Sequence, residues 1–447
     1  MSKKTLRALS LLLAALVVAS CTLIPSEAAR DLLPSTTSFR TAEAAFHVLI
    51  ERQVDKPSSS RVLTGALDGL AAKLKKDGLD DAVERPTFTD RAQSDFTKFT
   101  QVLEDAAKKF PQEDRAKLEQ AAVDGMAKAL NECHTYYIDP ERAKTFNKPP
   151  GPYTGIGATI SKPGVTEPVE VISVIPNSPA EKGGVKVGDQ FKVVDGVDVR
   201  DQTPEEVANR VKGPEGTEVT IVFIRGTTEL TRTFTRARLV QPQVISRTLE
   251  NDLGYVSIAA LNGTVARETK DAVQRLLDQS VKGIVLDLRN DPGGDFSVAI
   301  DVASIFVKDG VLVYNVGRDG KREEIRARTS WFLAGPRPVV VLVNRASASG
   351  AEIIAAGLRA NGVGRVIGVR TAGCVGTARV QEMPDGGTLL VGDSKMQDGK
   401  TGEDLHGPDK GVVPDDAVTN PDAATDSQLQ AAITFLRQAA HGPLVGG

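Results

Sequence analysis

Residues 339–358, Val-Val-Val-Leu-Val-Asn-Arg-Ala-Ser-Ala-Ser-Gly-Ala-Glu-Ile-Ile-Ala-Ala-Gly-Leu, constrain the fold more than any other stretch of this chain. The unbroken aliphatic run from Val339 to Val343 predicts a strand buried on both faces. Small residues then turn the chain. From Ala351 the pattern becomes helical, with Ile354 and Leu358 on one face. A strand that enters a helix through a tight turn is the unit of an α/β layer. It also sets a serine, Ser347 or Ser349, at a helix N-terminus, where backbone N–H groups lack partners and the dipole favours negative charge. Serine hydrolases expose a nucleophile on that geometry. The stretch lacks the Gly-x-Ser-x-Gly elbow, and small residues also serve close packing, so the chemistry has to be read from the rest of the chain.

At 447 residues the chain exceeds a single core and is expected to divide into about three domains. A net charge of −3 with 40% hydrophobic and 25% charged residues argues against disorder and against nucleic acid held by bulk charge. Lys3, Lys4 and Arg7 precede an apolar run from Leu11 to Val18 and then Ala19-Ser20-Cys21. That is the layout of an export signal, too short for a spanning helix. Val18-Ala19-Ser20-Cys21 resembles a bacterial lipobox. The resemblance implies a lipoprotein signal peptide over 1–21, lipidated Cys21 as the mature first residue, a tether over 22–40, and attachment to the cell membrane or envelope outside the cytoplasm. A signal cut elsewhere is the other reading.

Residues 41–150 read as a small helical domain. Leu63, Leu67, Leu70 and Leu74 share one face, Phe96, Phe99, Leu103, Ala106 and Phe110 another, and Leu118, Ala122, Met126 and Ala129 a third. The domain carries no chemistry until Glu132-Cys133-His134-Thr135, where a histidine leaves a helix for a loop. Of the other histidines, His47 lies in an apolar helix, His441 in a Gly/Pro-rich tail, and His406 in a polar loop.

Residues 151–238 read as short strands, at 169–174, 190–194, 219–224 and 230–235, with one helix from Pro204 to Lys212 capped by Thr203 and Glu206. Asn177-Ser178-Pro179-Ala180-Glu181-Lys182-Gly183-Gly184-Val185-Lys186-Val187-Gly188-Asp189, then Val194-Asp195-Gly196, resembles the central signature of PDZ domains. The strand order suggests the circularly permuted bacterial form. This resemblance implies capture of a peptide C-terminus by strand addition, its carboxylate on the backbone of Thr154-Gly155-Ile156-Gly157. Use as a packing platform alone is the alternative.

Residues 239–447 alternate strand and helix, with polar turns at strand C-termini. Leu286-Asp287-Leu288-Arg289-Asn290-Asp291-Pro292-Gly293-Gly294, Asn344 to Glu352, and Gly411-Val412-Val413-Pro414-Asp415 together resemble the tail-specific, or C-terminal processing, serine peptidases of family S41. The implied fold is a multidomain α/β protein: a helical N-terminal domain, a β-rich PDZ module and a ClpP/crotonase-like catalytic domain. The family pattern places the nucleophile at Ser349, with Ser347 second, and the oxyanion hole at the N–H of Gly350 with Gly293 or Gly294.

One departure changes the chemistry. The family's Ser–Lys dyad takes its lysine from the turn that here reads Thr371-Ala372-Gly373-Cys374-Val375-Gly376, and the lysine position is Cys374. Arg370 and Arg379 cannot replace it, because a guanidinium does not deprotonate. The tricorn-like branch of the superfamily uses a histidine ahead of its PDZ domain, which matches His134, with His406 the rival base. An orienting carboxylate is expected from Asp409, or from Glu403 or Asp404. The same correspondence brings Cys133 and Cys374 to one pocket and implies a disulfide, the alternatives being free thiols or Cys374 as a second nucleophile. The chain is expected to be a serine endopeptidase acting on protein or peptide substrates, with neither metal nor organic cofactor. The other reading is a catalytically inactive peptide-binding lipoprotein, a pseudoprotease.

Overall fold

A computed structural model describes residues 38–441 apart from 80–82, 145, 147–152, 162–167, 176, 240–241, 250–251, 334–336 and 421–425. Residues 1–37, where the export signal, Cys21 and nearly all of the tether are expected, lie outside the described residues. No helix among the described residues is long and apolar enough to cross a membrane.

Four amphipathic helices come first: α1 (Arg40–Arg52), α2 (Ser59–Lys76), α3 (Ala92–Lys109) and α4 (Arg115–Lys128). Ser58 caps α2 by accepting the Arg61 N–H, and Asp114 caps α4 by accepting that of Ala116. The leucines at 63, 67, 70 and 74 are all buried along α2, as their spacing predicts. Helices α2 and α4 cross on glycine. A Cβ on Gly125 would lie 2.2 Å from the Gly65 carbonyl oxygen, so only glycine allows this approach. The chain then forms a short strand, β1 (Tyr136–Ile138).

The second unit is a sheet of β2 (Ala158–Ser161), β3 (Glu170–Val174), β4 (Gln190–Val194), β5 (Glu218–Arg225) and β6 (Thr228–Thr235), in that spatial order. Val219, Ile221 and Phe223 of β5 alternate inward onto Val171, Phe191 and Phe234. Its helix α5 (Pro204–Val211) starts at a complete capping box, with Glu206 N–H on the Thr203 hydroxyl and Thr203 N–H on the Glu206 carboxylate.

The third unit is built on β7 (Val244–Leu249), β8 (Leu253–Ile258), α6 (Val265–Asp278), β9 (Gly283–Asp287), α7 (Phe296–Phe306), β10 (Val311–Gly317), β11 (Arg322–Arg326), β12 (Val339–Val343), α8 (Gly350–Ala360), β13 (Gly364–Gly368), β14 (Ala378–Glu382), β15 (Thr388–Gly392), β16 (Ser394–Asp398), β17 (Asp416–Ala417) and α9 (Ser427–His441). Its main sheet runs β7-β8-β9-β12-β13-β17, parallel except between β7 and β8. Val339, Val341 and Val343 pack under the helices of one face, while Val340 and Leu342 pack against Ala432 and Leu436 of α9 on the other. Both faces are covered, which is why β9 and β12 are apolar at nearly every position.

The N-terminal helices do not close a core of their own. Their core takes in Tyr137, Met383, Leu389 and Val391, and β1 pairs antiparallel with β15, Tyr136 opposite Leu390. Helices α1–α4 therefore form a layer docked on the third unit, and β1 carries the loop of His134 onto it.

Candidate active site

The turn between β12 and α8 holds both candidate serines, and their surroundings separate them. Ser347 is fully buried; its hydroxyl donates to the Leu288 carbonyl at 2.7 Å and accepts the Asn344 N–H at 2.9 Å. That hydroxyl ties two strand ends together. Ser349 is only partly buried and caps α8 at φ +52°, ψ −114°, a conformation that a residue with a Cβ adopts only where its neighbours impose it.

The imposing neighbour is Glu352, which is fully buried. Its Oε2 accepts the N–H of Ser349 at 2.9 Å and of Cys374 at 3.0 Å, and its Oε1 accepts the Gly373 N–H at 2.9 Å and the Thr371 hydroxyl. Burial pushes the carboxyl above its ordinary range, against these four donors. Glu352 thus clasps the serine turn to the Thr371–Gly376 turn. In the sequence it stands out only as the marker three residues after the serine. The Ser349 N–H also reaches the Cys374 carbonyl at 2.9 Å.

The glycine turn after β9 lies against this helix start. Gly293 has φ +88°, and a Cβ there would sit 2.6 Å from Gly350 N and 2.8 Å from Ser349 Cβ. The Gly293 N–H is already given to Asp291 Oδ1 at 2.8 Å. Gly294 packs on the Leu261 carbonyl. Among the described residues, neither the Gly294 nor the Gly350 N–H has an acceptor. The uncommitted donors at this turn are therefore Gly350 and Gly294, not Gly293. Asp291 itself is fully buried, with Oδ2 unpartnered, and burial pushes its carboxyl up to about 7.

His134 reaches the same turn from β1. Its Nδ1 lies 3.2 Å from Glu132 Oε1, which also accepts the His134 backbone N–H at 2.8 Å. Glu132 Oε2 accepts the Thr135 hydroxyl, whose oxygen in turn accepts the Gly392 N–H of β15 at 3.0 Å. Burial opposes the Glu132 charge, but the hydrogen bonds from His134 and Thr135 outweigh it and hold the carboxyl below its ordinary value. An anion at Nδ1 assigns the proton there and leaves Nε2 as the basic end. That nitrogen lies 3.6 Å from Cys374 Sγ. The sulfurs of Cys133 and Cys374 are 2.16 Å apart and their Cα atoms 6.0 Å apart. Cys374 thus meets His134 through its sulfur and Ser349 through its carbonyl. No direct hydrogen bond joins His134 to Ser349 among the described residues.

The orienting carboxylate is not in the loop where the sequence led us to expect it. Asp409, Glu403 and Asp404 are all exposed. Asp409, at φ +58° in a turn, offers its carbonyl to Arg370; Asp404 accepts from Gln397 at 2.8 Å. The carboxylate beside His134 is Glu132, two residues before it in sequence. The same loop does deliver His406, with Nε2 3.7 Å from Glu132 Oε1 and its ring 5.9 Å from that of His134. His47 lies edge-on to Phe46 and tilted against Phe96, in the helical layer, and the side chain of His441 lies outside the described residues.

In the second unit, Gly155, Ile156 and Gly157 rim a small apolar pocket that Ile160, Phe191, Ala208 and Val211 help to line, between β2 and α5; Thr154 lies outside its lining, in a short strand paired with Arg238. Gly157, at φ +91°, packs so closely on Ser178 that a Cβ would fall 2.3 Å from it.

The strand-to-helix turn, the glycine turn and the small apolar pocket are the features expected of a serine peptidase with a peptide-binding module, and comparison with known proteins agrees. Residues 252–418 match the Peptidase family S41 profile and residues 170–225 a PDZ domain. The chain is 30% identical over 329 residues to a carboxyl-terminal-processing protease of Synechocystis, covering 70% of this chain and 76% of that one. It is 31% identical over 346 residues to the carboxy-terminal processing protease CtpA of Bacillus subtilis, covering 76% and 73%. A solved protein structure from Bacteroides fragilis shares the fold, with TM-score 0.53 at 17% identity over 69% of this chain and 87% of that one. The chain belongs to the S41 family of serine-type peptidases.

Proposed function

We propose that this chain is an envelope endopeptidase that holds a substrate's C-terminus in its PDZ groove and cleaves with Ser349, His134 and Glu132 in place of the Ser–Lys dyad. The observation that carries the reading is the Glu132–His134 pair seated on Cys374, the residue whose carbonyl holds the Ser349 N–H. Ser349 Oγ attacks the scissile carbonyl while His134 Nε2 takes its proton. Glu132 holds the Nδ1 proton and stabilises the imidazolium. The N–H groups of Gly350 and Gly294 receive the oxyanion, a contribution of roughly 3–4 kcal/mol for a donor in comparable enzymes. His134 then protonates the leaving amine, and water deacylates Ser349 by the reverse transfers.

The relatives named carboxyl-terminal processing proteases support turnover over binding without cleavage, and support a free C-terminus as the recognised feature. The apolar lining of Phe191, Ala208 and Val211 suits an apolar last residue. A Cys133–Cys374 disulfide joins the loop of His134 to the turn that carries the lysine in the family, in keeping with an oxidising compartment. The lipobox at Cys21 supplies the lipid anchor that places the enzyme there.

The test is cleavage of an unstructured protein ending in an apolar residue. Wild type should cut it, Ser349→Ala should not, and amidating the substrate's C-terminus should lower kcat/KM about tenfold or more. Binding without cleavage by wild type would refute the peptidase reading. Indifference to amidation would refute capture of the C-terminus.

A further inference from the structure

The base of this site sits in a second arrangement that peptide hydrolysis does not need. Glu132 Oε1 lies 3.2 Å from His134 Nδ1, 3.7 Å from His406 Nε2 and 3.7 Å from Cys133 Sγ. Cys133 Sγ lies 3.5 Å from His134 Nδ1. All four ligand atoms fall within 4.8 Å of one another. A tetrahedral zinc ion, with bonds of about 2.0–2.3 Å to nitrogen, oxygen and sulfur, spaces its ligand atoms by roughly 3.3–3.6 Å. Four of the six separations match that spacing to within a few tenths of an ångström, and the other two lie within 4.8 Å.

His406 gives an independent sign. Its side chain is only 6% exposed, yet among the described residues neither ring nitrogen makes a hydrogen bond, and Nδ1 is wholly buried without a partner. A metal on Nε2 would satisfy a nitrogen that has no hydrogen bond in this buried ring, while Nδ1, the other ring nitrogen, would keep its own desolvation cost. Its Nε2 faces Glu132, at the centre of the group. Access is open on the other side, where Cys133 is exposed.

We propose that Glu132, Cys133, His134 and His406 form a zinc site in the reduced protein, and that the Cys133–Cys374 disulfide and this metal site are alternative states of the same loop. In the disulfide, Cys133 cannot act as a thiolate. Reduction by a phosphine takes up one water: the phosphine becomes its oxide, the S–S bond breaks, and two thiols form. Metal binding then releases the Cys133 proton to solvent. It also occupies His134 Nδ1, whose proton moves through solvent to Nε2. An imidazole protonated at Nε2 and metallated at Nδ1 cannot accept the Ser349 proton. The site would hold the enzyme inactive until oxidation by a disulfide donor expels the metal.

Metal binding can be measured apart from peptidase activity, with cobalt(II) as the probe. The purified full chain, reduced with a phosphine under argon, should bind one cobalt per chain, giving tetrahedral d–d bands and a thiolate charge-transfer band. Cys374→Ser should do so without reductant. Cys133→Ser should lose the charge-transfer band, and His406→Gln should weaken binding about tenfold or more. The oxidised wild type should bind at least tenfold more weakly. Zinc should displace the cobalt and suppress cleavage by Cys374→Ser, with recovery on chelation. Equal cobalt binding by reduced wild type and His406→Gln would overturn the site. So would no binding by either thiol-bearing protein, whether or not circular dichroism shows it still folded.

Discussion

At the scale of single residues, two positions bear on the site beyond the proposed nucleophile and base. Gly293 stands so close to Gly350 N that a methyl group at 2.6 Å would enter the space beside the proposed oxyanion donors, at a φ of +88° that resists any side chain. Gly293→Ala should lower kcat by roughly a hundredfold or more with little change in KM; steady-state kinetics on a chromogenic peptide would decide it. Asp291 makes a prediction in pH. Its folded-state value is raised from 3.8 to about 7, so folding favours the protonated form. The stabilisation is complete below the unfolded value and disappears as pH rises through 7. Thermal denaturation should show wild type losing up to roughly 4 kcal/mol more than Asp291→Asn between pH 4 and pH 8. Parallel pH profiles for the two proteins would remove Asp291 from this role.

At the scale of elements, β12, the serine turn and α8 were legible from residue types and spacing alone. The apolar run from Val339 to Val343 could only be a strand covered on both faces, and helical spacing resumed at Ala351. The PDZ helix was legible from its capping pair for the same reason, since Thr203 and Glu206 act over three residues. What stayed hidden acts across the chain. Glu132 is close to His134 in sequence, but nothing local tells a loop glutamate that meets the histidine from one that faces solvent; the expectation fell on the loop before Pro414 instead. The merging of the helical layer with the catalytic unit depends on Leu389 and Val391, whose alternation names a buried face without naming what covers it. Glu352 tests this scale. Glu352→Ala leaves the N–H groups of Gly373 and Cys374 buried without their acceptor, and should cost about 2–4 kcal/mol in chemical denaturation. A loss below about 1 kcal/mol would mean that the two turns hold each other without the clasp.

At the scale of the whole molecule, the loop from the helical layer and the turn of the α/β unit meet at Cys133 and Cys374, 241 positions apart. A proposed bond closing so long a loop stabilises chiefly by restricting the unfolded chain. Cys374→Ser should therefore lower unfolding free energy by roughly 2–5 kcal/mol, measured against wild type under oxidising conditions. Equal stability would mean that the bond does not form in solution.

The central claim is that a histidine from the docked helical layer replaces the family's lysine as base. The measurement that tests it most directly is kcat/KM for His134→Ala beside wild type and Ser349→Ala, each with its fold verified by circular dichroism. Loss of cleavage in both variants by a thousandfold or more is the predicted result. Near-wild-type cleavage by His134→Ala, with Ser349→Ala inactive, would contradict the account and move the base elsewhere in the pocket.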